Sequence, residues 1–326
     1  MQRHLAPACA LAFLALAWAI TQGVANEYVF FAGFVILQYV VLATAWNVLG
    51  GYCGYVNFGS AAFFAAGAYA SIFLIKSTAA PVGLQVLGGL VVGALLGLGV
   101  GYVALRLRGI YFAIATIALA VVLETVIQHW DYVGAARGYT ALRPAGAPGF
   151  SSYNRFLFFA MAVLALAAVM AARFIQTSWI GRGLHAILDN EDAAECSGVP
   201  TLRLKLLAAA VSGALMAMAG TLQPYYANFV EPTAVFNLNY AILALAMPVV
   251  GGTRHWMGPV LGALLLGGMQ QVVTVTVSSE LNVLIVGVLL MVFVIAAPKG
   301  ILGGLEALAR RRRGAPAAAV SGAGHA

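Results

Sequence analysis

The chain has 326 residues, of which 63 % are hydrophobic and only 8 % charged, against roughly 25 % charged in an ordinary soluble domain. So few charges cannot cover a water-facing surface, which excludes a soluble enzyme, a nucleic-acid-binding domain and a disordered chain. The formal net charge of +7 then reads as the positive-inside bias of a membrane protein, and the expected fold class is all-α, a polytopic membrane helical bundle.

A span needs about 20 apolar residues, so the charges mark where spans end. Residues 5–26 hold one span; with Arg3 ahead of it and small residues near Ala17 and Ala19, a cleaved signal peptide is the alternative. Residues 28–75 run for 48 positions without a charge, long enough for two spans. Single spans follow at 82–105 and 110–127, then a polar stretch at 128–155 and a span at 156–172. A charged stretch at 173–205 precedes spans at 206–227, 238–253, 256–277 and 281–297, making ten. If the N-terminus is cytoplasmic and the spans alternate, thirteen Lys and Arg fall inside and four (Lys76, Arg137, Arg143 and Arg155) outside, accounting for all seventeen. That asymmetry supports ten spans with both ends cytoplasmic. Residues 1–309 form the membrane domain; 310–326 form a basic, disordered cytoplasmic tail whose Arg310–Arg313 run suits anionic lipid.

Lipid offers no hydrophobic drive for helices to associate, so backbones must pack closely. Gly89, Gly93, Gly97 and Gly101, four apart, make one flat helical ridge; Gly258 with Gly262, and Ala62 with Ala66 and Ala70, share the spacing. These positions imply packing and no chemistry. The segment 50–60 differs, because Gly50, Gly51, Gly54 and Gly59 interrupt a long apolar stretch. It predicts a broken or re-entrant segment, either a plain cytoplasmic turn or one folded back to line a substrate path. Glu124 is the one carboxylate well within a predicted span; an intramembrane acid suggests function, but its closeness to Gln128 and His129 equally suits an interfacial residue.

In the stretch 173–205, Asp189 or Asn190 can cap a short helix, with Glu191 and Asp192 in its first turn where the helix dipole favours them. Gly198 and Pro200 stop it. Small residues at Ala193 and Ala194 would let such a helix lie close in another protein's groove.

The run 190–198, followed by Arg203-Leu204-Lys205-Leu206, resembles the coupling loop of ABC importer permeases. Together with 54–70 (GYVNFGSAAFFAAGAYA), 105–117 (LRLRGIYFAIATI), 249–262 (VVGGTRHWMGPVLG) and 297–302 (APKGIL), it is similar to the LivH/LivM permease family of branched-chain amino-acid importers, and closer to the LivM-like member. The chain departs from that pattern in two places. Ala193-Ala194 follows Asp192 where many relatives begin the motif Glu-Ala-Ala, and the loop 135–144 lacks a Gly-Gly-rich stretch.

The resemblance implies a permease subunit in the bacterial inner membrane. ABC ATPase subunits would grip Asn190, Glu191, Asp192, Ala193, Ala194, Glu195 and Gly198. A second, LivH-like permease would complete the pore, and an extracytoplasmic binding protein would deliver substrate. The substrate is a branched-chain or related amino acid; urea, amides and aromatic carboxylates are the alternatives within the family. The expected substrate path is Gly54, Asn57, Phe58 and Ser60, with Tyr111, Phe112, Thr116 and Glu124; backbone amides near 54–60 would meet a carboxylate, and Asn57 and Ser60 are the leading polar side chains. No cofactor is expected in this chain, since no G-x-x-x-x-G-K-[S/T] phosphate cradle occurs in it and ATP would be bound by the partners. An ion-coupled transporter is the main rival, and Glu124 is the one acid it could use. An intramembrane enzyme is disfavoured because His4, His129, His185, His255 and His325 are scattered and none pairs with a nearby acid in a span.

Overall fold

A computed structural model describes residues 2–24, 26–143 and 149–276, with 287, 288, 291 and 300–304. The expected span at 281–297, save those isolated positions, and the tail 310–326 lie outside the described residues.

The architecture is an all-helical bundle. Helix α1 covers Gln2–Gly23, α2 Glu27–Cys53, α3 Ser60–Thr78, α4 Val82–Ala104 and α5 Ile110–Gln128. After two 3-10 turns and a two-residue strand, β1 (Tyr139–Thr140), come α6 (Tyr153–Thr177), α7 (Trp179–Asp189), α8 (Glu191–Cys196) and α9 (Thr201–Gly220). The short α10 (Gln223–Ala227), β2 (Phe229–Val230) and α11 (Pro232–Val235) lead into α12 (Leu238–Gly251) and α13 (Gly258–Thr276). Among the described residues seven segments are long and apolar enough to cross a membrane, with shorter apolar helices at Leu11–Gly23 and Gly258–Thr274. These nine stand where the first nine expected spans stand.

Successive turns alternate between two ends of the bundle. At one end Arg108 of the α4–α5 turn pairs with Asp192, Gln176 donates to the carbonyl of Arg254, and Gly300 lies against Gly252. At the other end β1 pairs antiparallel with β2, Lys76 donates to the Tyr132 carbonyl, and Arg155 donates to the Thr21 and Val24 carbonyls that end α1. That last contact fixes α1 to α6, where Trp18 also meets Phe159 edge to face at 5.5 Å. The described turns therefore fall into two sets, one at each end of the bundle.

The bundle is held by small residues where helices cross. A Cβ added to Gly93 or Gly97 would strike the carbonyls of Gly213 or Ala209, so α4 lies backbone to backbone on α9 along the ridge that the four-residue spacing marks. Gly258 and Gly262 meet the carbonyls of Gly252 and Met247 in the same way, locking α13 onto α12. On α3 the tight crossing falls on Gly67, which faces the Ala217 carbonyl, while Gly220 faces that of Phe64. Of the alanine stripe, Ala62 is buried and Ala66 and Ala70 are half-buried.

The faces left uncovered are apolar. Helix α4 exposes Leu87, Val91 and Leu95, and α5 exposes Ile114, Val121, Val122 and Val126. Water would penalise such faces at about 25 cal/mol per Å², whereas lipid or another membrane helix would not. The chain is a multi-pass membrane protein.

The expected break corrects in position. Helix α2 runs through Gly50 and Gly51 to Cys53, and the interruption is confined to residues 54–59. A glycine in a helix costs about 1 kcal/mol, and here close packing offsets it: the Trp46 ring lies over Gly50, and Asn47 and the Thr253 carbonyl crowd Gly51. The helix stops at Gly54, whose φ of 82° places it in the left-handed region and whose N–H bonds the Gly50 and Leu49 carbonyls.

Candidate functional site

The turn 54–59 is folded into the bundle rather than set on its surface. Tyr55, Asn57 and Ser60 are buried, and the side chain of each makes a hydrogen bond within the protein. Asn57 Oδ1 accepts from the Gly59 amide at 2.8 Å, and the Asn57 carbonyl accepts from Trp46 Nε1 at 2.9 Å and from Ser60 Oγ at 3.1 Å. The Phe58 amide donates to Thr116 Oγ1 at 3.2 Å, and that hydroxyl donates in turn to the Ala113 carbonyl. Phe112 packs edge to face on Tyr55, with ring centroids 5.2 Å apart. The structure thus gathers Gly54, Asn57, Phe58, Ser60, Phe112 and Thr116 into one small region. Tyr111 instead projects from the outer face of α5 with two-thirds of its surface exposed. Glu124 lies twelve positions beyond Phe112, about 18 Å along a helix, half-buried at the far end of α5, where it accepts from Gln128 Nε2.

Beside that turn lies α8. Asn190 caps it, its side-chain oxygen accepting from the Ala193 amide at 3.0 Å, and Gly198, with φ of 81°, lets the chain leave it. Asp189 ends the separate helix α7, a feature that sequence reading folded into a loop. Leu184 and Ile187 of α7 and Ala194 of α8 are buried with Leu49, Tyr52, Leu105, Ile175 and Leu204, so this end has its own hydrophobic cluster. Ala194 therefore packs into its own bundle, and Ala193 is the small residue that faces outward. Glu195 accepts from Thr201 Oγ1, tying α8 to the start of α9.

Glu191 points inward. Its Oε1 receives Lys205 Nζ at 2.7 Å and its Oε2 receives the Tyr55 hydroxyl at 2.7 Å. Lys205 Nζ also donates to the Tyr55 oxygen at 3.1 Å and reaches the Leu105 carbonyl at 3.4 Å. Arg108 stands 3.7 Å from Glu191 and 2.9 Å from Asp192. Burial works to raise the Glu191 carboxyl, but the hydrogen bonds from Lys205 and Tyr55 and the positive charges of Lys205 and Arg108 outweigh it, so the group titrates below its ordinary value. Burial and then Glu191 push the Tyr55 phenol upward, which keeps it a proton donor. Sequence reading gave Tyr55 and Arg108 no role and quoted Lys205 only within the run 203–206. The one local signal is Lys205 itself, a cation four positions inside an apolar helix and nevertheless almost fully buried. Among the described residues no group of three or more His, Cys, Asp or Glu could hold a metal ion.

The family model for the permease component of branched-chain amino acid transport systems matches residues 28–294. The chain belongs to this family. The permease is 25 % identical to the high-affinity branched-chain amino acid transport system permease protein LivM of Escherichia coli, over 90 % of its own length and 73 % of the relative's. It is 27 % identical to the Salmonella typhimurium LivM over 81 % and 67 % of the two chains. It is 26 % identical to a probable LivH of Methanocaldococcus jannaschii over 76 % and 82 %. No solved structure matches the permease.

Proposed function

We propose that this chain is the membrane-spanning subunit of an ATP-binding-cassette importer, translocating branched-chain or related amino acids by alternating access. The observation that carries the reading is a capped six-residue helix, α8, tied through partly buried hydrogen bonds of Glu191 to the 54–60 turn and α9, in a chain that matches the permease family over 28–294. ATPase subunits engage the exposed parts of α8, and their nucleotide-driven closure shifts the population of inward-open and outward-open states. A LivH-like permease packs beside it, and an extracytoplasmic binding protein supplies substrate. The end bearing Arg106, Arg108, Arg173, Arg182 and Arg203 faces the cytoplasm, in accord with the positive-inside bias, and both termini lie there.

Gly54, Asn57, Phe58 and Ser60 of the 54–60 turn line the substrate path. Asn57 Oδ1 accepts from the Gly59 amide and Ser60 Oγ donates to the Asn57 carbonyl, so recognition there falls to backbone groups and to the half-buried apolar surface of Phe58. An amino acid with a branched apolar side chain fits such a lining. The test is uptake into proteoliposomes holding both permeases and the ATPases, with the loaded binding protein outside and ATP within. Uptake that follows ATP and persists when ion gradients are collapsed supports the importer; uptake that stops with the gradient would replace it with an ion-coupled transporter.

A further inference from the structure

We infer that Glu191, Lys205 and Tyr55 form a strut through which α8 positions the 54–60 turn, so that these three are positioning residues for transport rather than contacts for the ATPase. The inference rests on the importer reading above and names how force crosses from one part of that site to the other.

The three side chains close a ring of hydrogen bonds of 2.7, 2.7 and 3.1 Å, with one member on α8, one on α9 and one in the turn. Lys205 is 4 % exposed, and removing an ammonium from water is expensive unless its partners are held in place. A methionine would fill the same apolar surroundings without that expense. A buried charge contributes direction instead: Lys205 Nζ can stay satisfied only while α8, the turn and the Leu105 carbonyl that ends α4 keep their places around it. Tyr55 carries the restraint onward. It is two positions from Asn57, whose carbonyl is held by Trp46 and Ser60, and its ring packs on Phe112, one turn before the Thr116 hydroxyl that holds the Phe58 amide. Displacing α8 from α9 therefore breaks the ring or drags the turn with it. The neighbouring Arg108–Asp192 pair differs, since both side chains are more than half exposed and can part without stranding a buried charge.

The experiment uses the whole reconstituted complex and reads uptake per ATP hydrolysed. Tyr55→Phe removes one hydroxyl from the ring and keeps the aromatic packing. The strut predicts that this variant captures the ATPase and hydrolyses ATP at the basal rate, while uptake per ATP falls by about fivefold or more and loaded binding protein no longer stimulates hydrolysis. Lys205→Arg, which keeps a charged donor, should retain most of the coupling that Lys205→Met loses. Normal uptake per ATP in Tyr55→Phe overturns the strut, and so does loss of ATPase capture by that variant, which would place the hydroxyl in the docking surface. Should Lys205→Met fail to fold, Tyr55→Phe alone decides. A wild-type complex without ATP-driven uptake would instead defeat the importer reading itself.

Discussion

The crossing of α4 on α9 and the junction of α8 with the 54–60 turn hold the same bundle by opposite means. At the crossing, Gly89, Gly93 and Gly97 bring backbone against backbone with no charged group between them. At the junction, a carboxylate, an ammonium and a phenol join three segments beside a hydrophobic cluster that all three share. Dispersion between close-packed backbones is stiff and indifferent to direction along the ridge, whereas a ring of hydrogen bonds is directional and can be broken and remade. The first suits a part that moves as a body, and the second suits the place where movement is transmitted.

Mutations should separate the two. The largest effect is expected for Gly93→Leu, because the new side chain would meet the Gly213 carbonyl, a backbone atom that cannot swing aside. The yield of detergent-extracted, monodisperse protein should fall nearly to nothing; a normal yield would mean that α4 and α9 are not locked. Next comes Glu191→Ala, which leaves Lys205 charged and buried without its anion, at a cost of about 3–5 kcal/mol. Thermal unfolding of the double variant Glu191→Ala/Lys205→Met should lie closer to wild type than that of Glu191→Ala, and simple additivity of the two single changes would show that they do not interact.

Gly198→Ala should cost about 1–2 kcal/mol, since φ is 81° there and the space around it is open, so backbone strain is its whole effect. Uptake is the sharper readout of the same change, because the strain falls at the exit of α8. A smaller effect follows from pH. The folded Glu191 carboxyl titrates below its ordinary 4.5, so its contribution is fully present above that value and is lost as pH falls through the lower, folded one. Stability from this group should be flat from neutral pH down to about 5 and decline only in stronger acid; removing the carboxylate with Glu191→Gln should abolish that acid limb. The smallest effect is expected for Asp192→Asn, whose partner Arg108 is exposed; the melting temperature of the isolated chain should not change measurably.

How far each region could be read from the sequence follows from the same contrast. Close packing writes itself locally: the four-residue glycine spacing in 82–105 marks the face of α4 that meets α9, and absence of charge sets its bounds to within a residue. The cap at Asn190 and the stop at Gly198 are equally local, and both stand where the residue types put them. The strut joins positions as far as 150 apart, and no period or spacing connects Tyr55 with Glu191 and Lys205. Gly50 and Gly51 misled because glycine in a sequence looks the same whether it breaks a helix or admits a neighbour; the Trp46 ring and the Thr253 carbonyl, which decide between the two, belong to the fold. Glu124 could be weighed from its neighbours Gln128 and His129, and it does accept a hydrogen bond from Gln128 at the end of its helix.

The central claim is that α8 faces the cell interior as the handle of a separate ATPase. Cys196, the last residue of α8, is exposed while Cys53 is buried, so a Cys9→Ser background leaves one reactive thiol for a membrane-impermeant maleimide. Labelling in inside-out vesicles, absent in intact cells and suppressed when the ATPase subunits are added, is the result the account predicts; labelling of Cys196 from outside intact cells would contradict it.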